Sequence, residues 1–295
     1  MIKISYLNFW KDPHNDKYFS KFISENLKVQ VIHVNPNDNP DILIASTFGN
    51  ISIIKNLRAK CKMFFYGENL ERYPPYNNIS LLKDTFDLIV GFKYTNQDKI
   101  LRFPLWLIYY DYYNFEKEDN IISYIEKKYV ENVNKEKEYF STIVCRHDRG
   151  GQRTKIMNEL NNYGKTLCGG SFNNTIKIGN TLSDKLNFIS KGVYHICPEN
   201  SIFEGYTTEK IFHAFESGCI PLYWGHNLPE DDIINENKYC FCNLDNQELL
   251  EEQIKDLIIN KEKYTCGKIF KENANNVIAK YYKDLEMNIK KCLSN

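Results

Sequence analysis

Residues 193–225 read VYHICPENSIFEGYTTEKIFHAFESGCIPLYWG, and this stretch decides the fold. A short apolar run, residues 193–197, predicts a strand that ends in a polar loop. Apolar residues then recur with helical spacing over 211–215, and Gly218 stands where a helix end favours glycine. A second apolar run, residues 220–224, predicts the next strand. The order strand, loop, helix, strand is typical of a parallel sheet covered by helices.

The first turn of this predicted helix carries an acid and a base, Glu209 and Lys210. Backbone amides and the positive end of the helix dipole favour an anion there, and the Lys210 ammonium adds a full positive charge. Glu209 cannot bind a phosphate, but its carboxylate can accept hydrogen bonds from sugar or ribose hydroxyls. The alternative for both side chains is a solvated first turn without a ligand. The arrangement is suited to a nucleotide diphosphate.

The same stretch resembles the donor-binding motif of the α-1,3/4-fucosyltransferases, glycosyltransferase family 10. The likeness lies in Glu-Asn-Ser at 199–201, Gly-Tyr-Thr-Thr-Glu-Lys-Ile at 205–211 and Ile-Pro-Leu-Tyr-Trp-Gly at 220–225. Other family-like motifs occur in the expected order, at residues 9–10, 65–70, 86–92 and 101–105. The chain therefore resembles the soluble bacterial members of that family from residue 1 to about residue 245.

Predicted strands and helices alternate in both halves of the chain, which indicates an α/β fold. A highly charged segment, residues 116–138, separates the halves, so we place a domain boundary near residue 138. Residues 1–138 are predicted to form an acceptor-binding Rossmann-like domain, and residues 139–295 a nucleotide-sugar (donor) binding Rossmann-like domain with terminal helices. The resemblance implies the GT-B architecture, in which two parallel sheets face each other across a cleft and a C-terminal helix packs back.

Composition excludes some classes of partner. The 295 residues include 38 basic and 38 acidic side chains, so no global field attracts nucleic acid. Nine cysteines are scattered without zinc-ligand spacing, and several lie in apolar runs, so we expect buried reduced thiols rather than a disulfide framework.

The chain start lacks a basic region followed by a sustained apolar run, so it predicts a first strand rather than a signal peptide. No stretch approaches the roughly 20 apolar residues that span a bilayer. We therefore expect a cytoplasmic protein. Peripheral contact with a membrane through the C-terminus and the oligomeric state are left open.

The resemblance assigns residues to the donor. As a sugar leaves a nucleoside diphosphate, negative charge grows on the β-phosphate, so cations must be held there in advance. Arg153, at the start of a predicted helix, and Lys210 match the family positions with this role. Asn200 and Tyr206 also match donor positions, where an amide and a phenol can bond ribose, phosphate or fucose hydroxyls. The alternatives are a loop-closing Asn200 and a packed Tyr206.

The sequence offers no convincing Asp-x-Asp metal motif, and Asp231-Asp232 is better interpreted as a solvated pair. We therefore predict no metal site and no required cofactor, with GDP-fucose as the donor substrate and a glycan as the acceptor. Stimulation by a divalent metal is left open.

The reaction also needs a base that takes the proton of the acceptor hydroxyl. Glu68 follows an apolar strand and Gly67, and it matches the family's proposed catalytic glutamate. Its alternative is an ordinary loop acid. Glu209 is the second carboxylate in the predicted catalytic set. The resemblance implies inverting transfer of L-fucose to O3 or O4 of N-acetylglucosamine or glucose.

Other functions remain open at this stage. They are a GT-B glycosyltransferase with a different nucleotide sugar, a GT-B hydrolase, epimerase or phosphorylase, and a catalytically silent glycan- or nucleotide-binding protein. Pro198 departs from the family, which usually has an aromatic residue there, and we expect it to stiffen the loop and remove one amide donor. Tyrosines in the predicted acceptor loops, residues 72–80 and 109–120, could stack on sugar faces; Tyr73 and Tyr76 belong to this group.

Overall fold

The computed structural model describes residues 1–10, 18–110, 120–226 and 228–294. Its chain divides into two compact units. Unit 1 comprises Met1–Tyr112, Phe203–Tyr206 and Asn276–Asn295, and unit 2 comprises Tyr113–Ile202 and Thr207–Asn275. Residues 111–119 of the second predicted acceptor loop lie outside the described residues.

The strands of the described chain are β1 (Ile2–Leu7), β2 (Val31–His33), β3 (Ile42–Ala45), β4 (Cys61–Tyr66), β5 (Leu88–Gly91), β6 (Ile100–Arg102), β7 (Tyr139–Val144), β8 (Thr166–Gly169), β9 (Gly192–Ile196), β10 (Ile220–Tyr223) and β11 (Cys240–Phe241). The α-helices are α1 (Tyr18–Leu27), α2 (Ile51–Asn56), α3 (Ile79–Thr85), α4 (Ile121–Val133), α5 (Gln152–Leu160), α6 (Leu182–Ile189), α7 (Glu209–Glu216), α8 (Gln247–Ile259), α9 (Lys261–Thr265) and α10 (Ala274–Ser294). Short 3₁₀ turns occur at Leu70–Arg72, Leu105–Tyr109 and Glu236–Lys238.

Unit 1 is built on a parallel sheet with the strand order β2-β1-β3-β4-β5-β6. Every residue of β3 and β5 is buried, as expected for central strands that are covered on both faces. The parallel register pairs Ile42 with Cys61 and Ala45 with Phe64, so β3 and β4 end side by side. The loops after these two strands therefore begin at the same edge of the sheet.

Unit 2 has a second parallel sheet, with the order β11-β10-β9-β7-β8. The strands and the helix predicted from residues 193–225 are present as β9, α7 and β10. Gly218 has a φ of +67°, as predicted for the helix end, and a Cβ there would lie 2.4 Å from the backbone nitrogen of Val133. Glycine is therefore required for its left-handed backbone and for the close approach of α4.

The division into units differs from the predicted boundary near residue 138. Helix α4 belongs to unit 2, because its buried side chains Ile121, Ile125 and Tyr129 form an apolar face and its polar groups bond to α7. The Tyr124 hydroxyl donates to the Glu216 carboxylate at 2.9 Å. The highly charged segment therefore contains an amphipathic helix that packs on α7.

The C-terminal helix α10 belongs to unit 1 from Asn276 onward. Its Tyr282 hydroxyl accepts a hydrogen bond from Tyr18 at 3.0 Å, and its Cys292 forms a disulfide with Cys61 of β4. The expectation that all thiols are reduced is therefore wrong for this pair. The two cysteines lie 231 residues apart, so their pairing depends on tertiary packing that spacing along the chain does not encode. The other cysteines of the described chain remain thiols.

Among the described residues, no helix combines the length and the apolar character needed to cross a membrane.

Candidate functional site

A buried carboxylate, Glu199, holds the loop between β9 and α7. Its side chain is fully buried, and its Oε1 accepts a hydrogen bond from the Thr208 backbone amide at 2.7 Å. Its Oε2 accepts from the Thr208 hydroxyl at 2.8 Å and from the Lys210 ammonium at 2.9 Å. Hydrogen bonds to an ionised group are shorter and stronger than neutral ones, so this network fixes the loop at the start of α7.

Lys210 therefore has a counter-ion, which the sequence did not predict. Its Nζ lies 2.9 Å from the Glu199 carboxylate and also donates to the Thr208 hydroxyl at 2.6 Å. The side chain still has 21% of its area exposed, so it is partly accessible at the N-terminus of α7. Because the Thr208 hydroxyl is engaged in this way, its side chain gives the first amides of α7 no capping hydrogen bond.

Glu209 belongs to a second charged cluster, formed by α6 and α7. Its Oε1 lies 3.8 Å from Nζ of Lys185, and that Nζ lies 3.2 Å from Nδ1 of His213. Burial raises the pKa of Glu209, but the charges of Lys210 and Lys185 outweigh burial and hold the pKa at about 2. Glu209 is therefore an anion at neutral pH, available to accept hydrogen bonds.

His213 and Lys185 complete this cluster. Burial lowers the pKa of His213 well below its usual range, and the Lys185 charge lowers it further, so its imidazole is neutral and accepts at Nδ1. Burial also lowers the pKa of Lys185, while the Glu209 carboxylate counteracts the effect. Lys185 is not among the predicted site residues. The sequence feature that could have identified Lys185 is its position on the face of α6 that also carries the buried Phe188 and Ile189.

Arg153 and Asn200, both predicted to bind the donor, are in contact. The Arg153 side chain is largely buried, and its Nη2 donates to Asn200 Oδ1 at 3.1 Å. Asp148 holds the start of α5 by accepting from the backbone amides of Arg153 at 3.1 Å and Thr154 at 2.8 Å. Burial raises the pKa of Asp148, but hydrogen bonds from Thr154 and Arg153 outweigh this effect and lower the pKa. Arg153 therefore projects from a firmly capped helix.

Pro198 lies between two residues that continue the pairing of β9 with β10. The amide of Cys197 donates to the Leu222 carbonyl at 2.9 Å, and the amide of Glu199 donates to the Trp224 carbonyl at 2.7 Å. Successive amides of an extended strand point to opposite sides, so an amide at position 198 would point away from β10. The proline therefore removes a donor, as predicted, without removing a hydrogen bond to β10.

Glu68, the predicted base, follows β4 in unit 1 and has 19% of its side chain exposed. Its Oε2 accepts a hydrogen bond from the Tyr206 hydroxyl at 3.2 Å and lies 4.0 Å from Nη1 of Arg72. A Cβ at Gly67 would lie 2.5 Å from a methyl carbon of Leu105, so a glycine lets the chain pass this side chain before Glu68. The structure thus places a partly exposed carboxylate at the carboxyl end of a parallel strand.

Tyr206 belongs to unit 1, as Glu68 does, whereas the other residues predicted to bind the donor belong to unit 2. Its side chain is 1% exposed, and its ring packs 5.0 Å from that of Phe92. The preceding Gly205 has a φ of +74°, and its carbonyl accepts a hydrogen bond from the buried Arg102 at 3.4 Å. Arg102 also donates to the Phe92 carbonyl and to the Tyr281 hydroxyl. The Tyr206 ring is therefore packed in the core, which was the alternative to donor binding, and its hydroxyl contacts the predicted base.

The predicted acceptor tyrosines divide into two kinds. Tyr76 is 1% exposed, and its hydroxyl donates to the Gly49 carbonyl at 3.1 Å, so it is a core residue that cannot stack on a sugar. Tyr73 is only partly buried and stays a candidate.

Potential metal ligands are dispersed. Across the described ranges, no group of three or more His, Cys, Asp or Glu side chains is close enough to hold a metal ion. Asp231 is half-buried and Asp232 is exposed.

Comparison with protein families gives two adjacent matches. Residues 4–110 match the model for the N-terminal domain of alpha-(1,3)-fucosyltransferase FucT. Residues 133–290 match the C-terminal model of glycosyltransferase family 10 (fucosyltransferase). The chain is 27% identical to an alpha-(1,3)-fucosyltransferase FucT from Helicobacter pylori, in an alignment that covers 99% of this chain and 64% of that protein. The chain thus spans less than two thirds of the length of this curated relative.

Solved structures share the fold. An α1,3-fucosyltransferase crystal structure matches with a TM-score of 0.70 and 24% identity, covering 100% of this chain and 90% of that one. An α1,3-fucosyltransferase structure with GDP-fucose matches with a TM-score of 0.63 and 23% identity, covering 97% and 90% of the two chains. The predicted α/β fold of the GT-B class, with two parallel sheets, is therefore confirmed.

Proposed function

Because the chain belongs to glycosyltransferase family 10, we propose that it transfers L-fucose from GDP-fucose to a glycan acceptor. The acceptor atom is O3 or O4 of N-acetylglucosamine or glucose, and the reaction inverts the anomeric centre. The observation that carries the proposal is the loop between β9 and α7, where Asn200 bonds to Arg153 and Glu199 bonds to Lys210 at the start of α7. Unit 2 is proposed to bind the donor and unit 1 the acceptor.

Arg153 and Lys210 are proposed to hold the diphosphate. Both are fixed by neighbours before any ligand binds, Arg153 by Asn200 and Lys210 by Glu199. Cations that are already positioned stabilise the charge that grows on the leaving β-phosphate without reorganising during the reaction. The first amides of α7 add hydrogen-bond donors and the positive end of the helix dipole.

Glu209 and Asn200 are proposed to recognise hydroxyl groups of the donor. Glu209 is held as an anion by Lys185 and Lys210, so its carboxylate accepts hydrogen bonds from ribose or fucose hydroxyls. Asn200 uses its oxygen for Arg153, so its amide nitrogen is the group that would donate to an acceptor on the ligand. A fixed carboxylate and a fixed amide give the site selectivity for a donor whose ribose and sugar present hydroxyl groups.

Glu68 is proposed to remove the proton of the acceptor hydroxyl as that oxygen attacks the anomeric carbon. Its partial exposure gives an acceptor access, and the hydrogen bond from Tyr206 orients the carboxylate. Attack from the face opposite the diphosphate inverts the anomeric centre and gives an α-linked fucoside from a β-linked donor. Arg153 and Lys210 supply the positive charge, so the proposal requires no metal and no cofactor beyond the donor substrate.

The test is incubation of the protein with GDP-fucose and a panel of acceptors, with and without a chelator. We expect an elongated glycan in both conditions. Free fucose or fucose phosphate as the only product would indicate a hydrolase or a phosphorylase. Transfer from a UDP-sugar but not from GDP-fucose would refute the choice of donor, and tight nucleotide binding without any product would indicate a silent binding protein.

The base assignment has a separate test. Glu68→Gln keeps the shape of the side chain but removes its basicity, so we expect transfer to fall by about 10²- to 10⁴-fold while GDP binding is retained. Calorimetry with GDP measures the second quantity. Loss of GDP affinity in this variant would remove Glu68 from the base role.

A further inference from the structure

Residues 203–206 form a turn that is seated against unit 1. A hydrogen bond from the last amide of the turn to its first carbonyl, at 3.0 Å, closes it. A Cβ at Gly205 would lie 2.6 Å from the Phe92 carbonyl oxygen and 2.8 Å from Nη1 of Arg102. It would also lie 3.1 Å from Cδ2 of Tyr94. Phe92, Tyr94 and Arg102 therefore form a close-fitting seat for the turn, here named the turn slot.

Arg102 is the hydrogen-bonding member of the turn slot. It is buried, and it donates to the Phe92 carbonyl and to the Gly205 carbonyl. Its guanidinium carbon lies 3.7 Å from the centre of the Tyr94 ring, and its Nε donates to the Tyr281 hydroxyl of α10 at 3.0 Å. A guanidinium carries its N–H donors in fixed directions, so one side chain can hold several acceptors in place. Arg102 thus fixes the turn against the segment after β5 and against α10.

The turn slot sets the position of Tyr206, the last residue of the turn. The Phe92 ring lies 5.0 Å from the Tyr206 ring and 5.8 Å from the Phe203 ring, measured between centres. The Tyr206 hydroxyl donates to Oε2 of Glu68 at 3.2 Å. Hydrogen bonds weaken steeply away from their preferred geometry, so a displaced turn would lose this contact with the carboxylate.

The parts of this arrangement come from three motifs of the sequence. Phe92 ends the family-like motif at residues 86–92, and Arg102 lies in the motif at residues 101–105, to neither of which the proposed function assigns a role. Gly205 lies in the donor motif. Burying a cation is costly, and well-packed apolar side chains often stabilise a protein equally well. A buried arginine at the turn therefore favours a requirement for exact position over a requirement for stability alone.

We infer that Arg102 is a positioning residue for the base Glu68, and that it acts through the turn at residues 203–206 and the Tyr206 hydroxyl. This inference rests on the proposed function and deepens it. The Gly205-Tyr206 pair of the donor motif then serves the base on the acceptor side, while the rest of the motif serves the donor.

The test is a double-mutant cycle measured by fucosyl transfer. Arg102→Lys keeps the charge but loses the fixed fork of donors, so we expect kcat/KM to fall about tenfold, as on loss of the Tyr206 hydroxyl. Because both changes act on one hydrogen bond, adding Arg102→Lys to Tyr206→Phe should cause a further fall of less than about twofold. Independent effects would multiply to about 100-fold. Calorimetry should give the wild-type Kd for GDP in all of these variants.

Gly205→Ala displaces the turn without altering a charged group. The added Cβ would meet the Phe92 carbonyl and Arg102, so we expect the same fall of about tenfold, again absent in the Tyr206→Phe background. Gly267→Ala is the matched control. Gly267 has a φ of +80°, and within the described chain a Cβ there would meet no atom within 4 Å other than those of its chain neighbours. This variant introduces the same kind of backbone strain and should keep the wild-type kcat/KM.

NMR of protein labelled with ¹³C at tyrosine Cζ measures the contact without turnover. The Tyr206 signal, identified as the one missing from Tyr206→Phe, should move in Glu68→Gln, and this movement should vanish when Arg102→Lys is also present. Persistence of the movement, or multiplying losses in the cycle, would refute the positioning role. If the wild type transfers no fucose but the movement depends on Arg102, the proposed function fails and the positioning role stands.

Discussion

Tyr206→Phe distinguishes two roles for a residue that the family motif assigns to the donor. The substitution removes one oxygen from a side chain that is 1% exposed, and with it the 3.2 Å hydrogen bond to Glu68. A hydrogen bond to an ionised group contributes about 1.5–3 kcal/mol, and the length of this one favours the lower value. A loss of about 1.4 kcal/mol in the transition state corresponds to a tenfold fall in rate. We therefore expect kcat/KM for transfer to fall about tenfold.

The affinity for GDP provides the second measurement. Tyr206 packs in unit 1 against Phe92, so calorimetry should give the same Kd for GDP as the wild type. Tyr18→Phe is the matched control, because it removes a buried tyrosine hydroxyl of the same unit, bonded to Tyr282 at 3.0 Å and remote in sequence from Glu68. Both variants should lose about 1 kcal/mol of unfolding free energy, but only Tyr206→Phe should lose activity. A tenfold weaker Kd for GDP with an unchanged kcat would refute our reasoning and return Tyr206 to the donor site.

Three further predictions concern the charged clusters and the disulfide. The pKa of Glu209 is lowered from its usual 4.5 to about 2. Its ionised carboxylate therefore contributes about 3 kcal/mol to the free energy of unfolding, and this contribution is fully present above pH 4.5 and is lost as the pH falls towards 2. Lys185→Met should therefore flatten the decline of stability in that pH range, measured by urea unfolding, whereas Lys185→Arg should retain it; equal slopes would contradict the pairing. Glu199→Ala should lower the free energy of unfolding by about 3–5 kcal/mol, because it leaves Lys210 and the Thr208 amide without their acceptor, and a change below about 1 kcal/mol would show that the network is dispensable. Cys292→Ser should lower the free energy of unfolding by about 2–5 kcal/mol under oxidising conditions and have little effect in the presence of a reductant. A full effect in the reduced protein would mean that packing, and not the covalent bond, is responsible.

The sequence predicts the local structure around the donor motif well. The spacing over 211–215 and the position of Gly218 predict α7 and its left-handed end, and both are present. This success has a physical reason, since helix periodicity and a glycine cap depend on residues within a few positions of each other. The parallel sheets follow equally from apolar runs that alternate with amphipathic segments.

Features that depend on distant packing were not predictable in this way. Residues 203–206 belong to unit 1 although both of their neighbours in sequence belong to unit 2, and there they contact the buried Arg102 and Phe92. Lys185 pairs with Glu209 from another helix, and Cys61 bonds to Cys292 from the other end of the chain. No local pattern encodes such partners, because each depends on which elements meet in three dimensions.

Glu199 has a consequence for the thermodynamics of ligand binding. Ordering a loop residue in a single conformation costs about 1–2 kcal/mol of free energy at room temperature, because its backbone loses conformational entropy. Because Glu199 bonds Thr208 and Lys210 within the folded chain, this entropy loss accompanies folding and not the arrival of a nucleotide. A ligand that meets an ordered loop retains more of its contact energy as affinity, so we expect the loop to keep its conformation when a nucleotide binds.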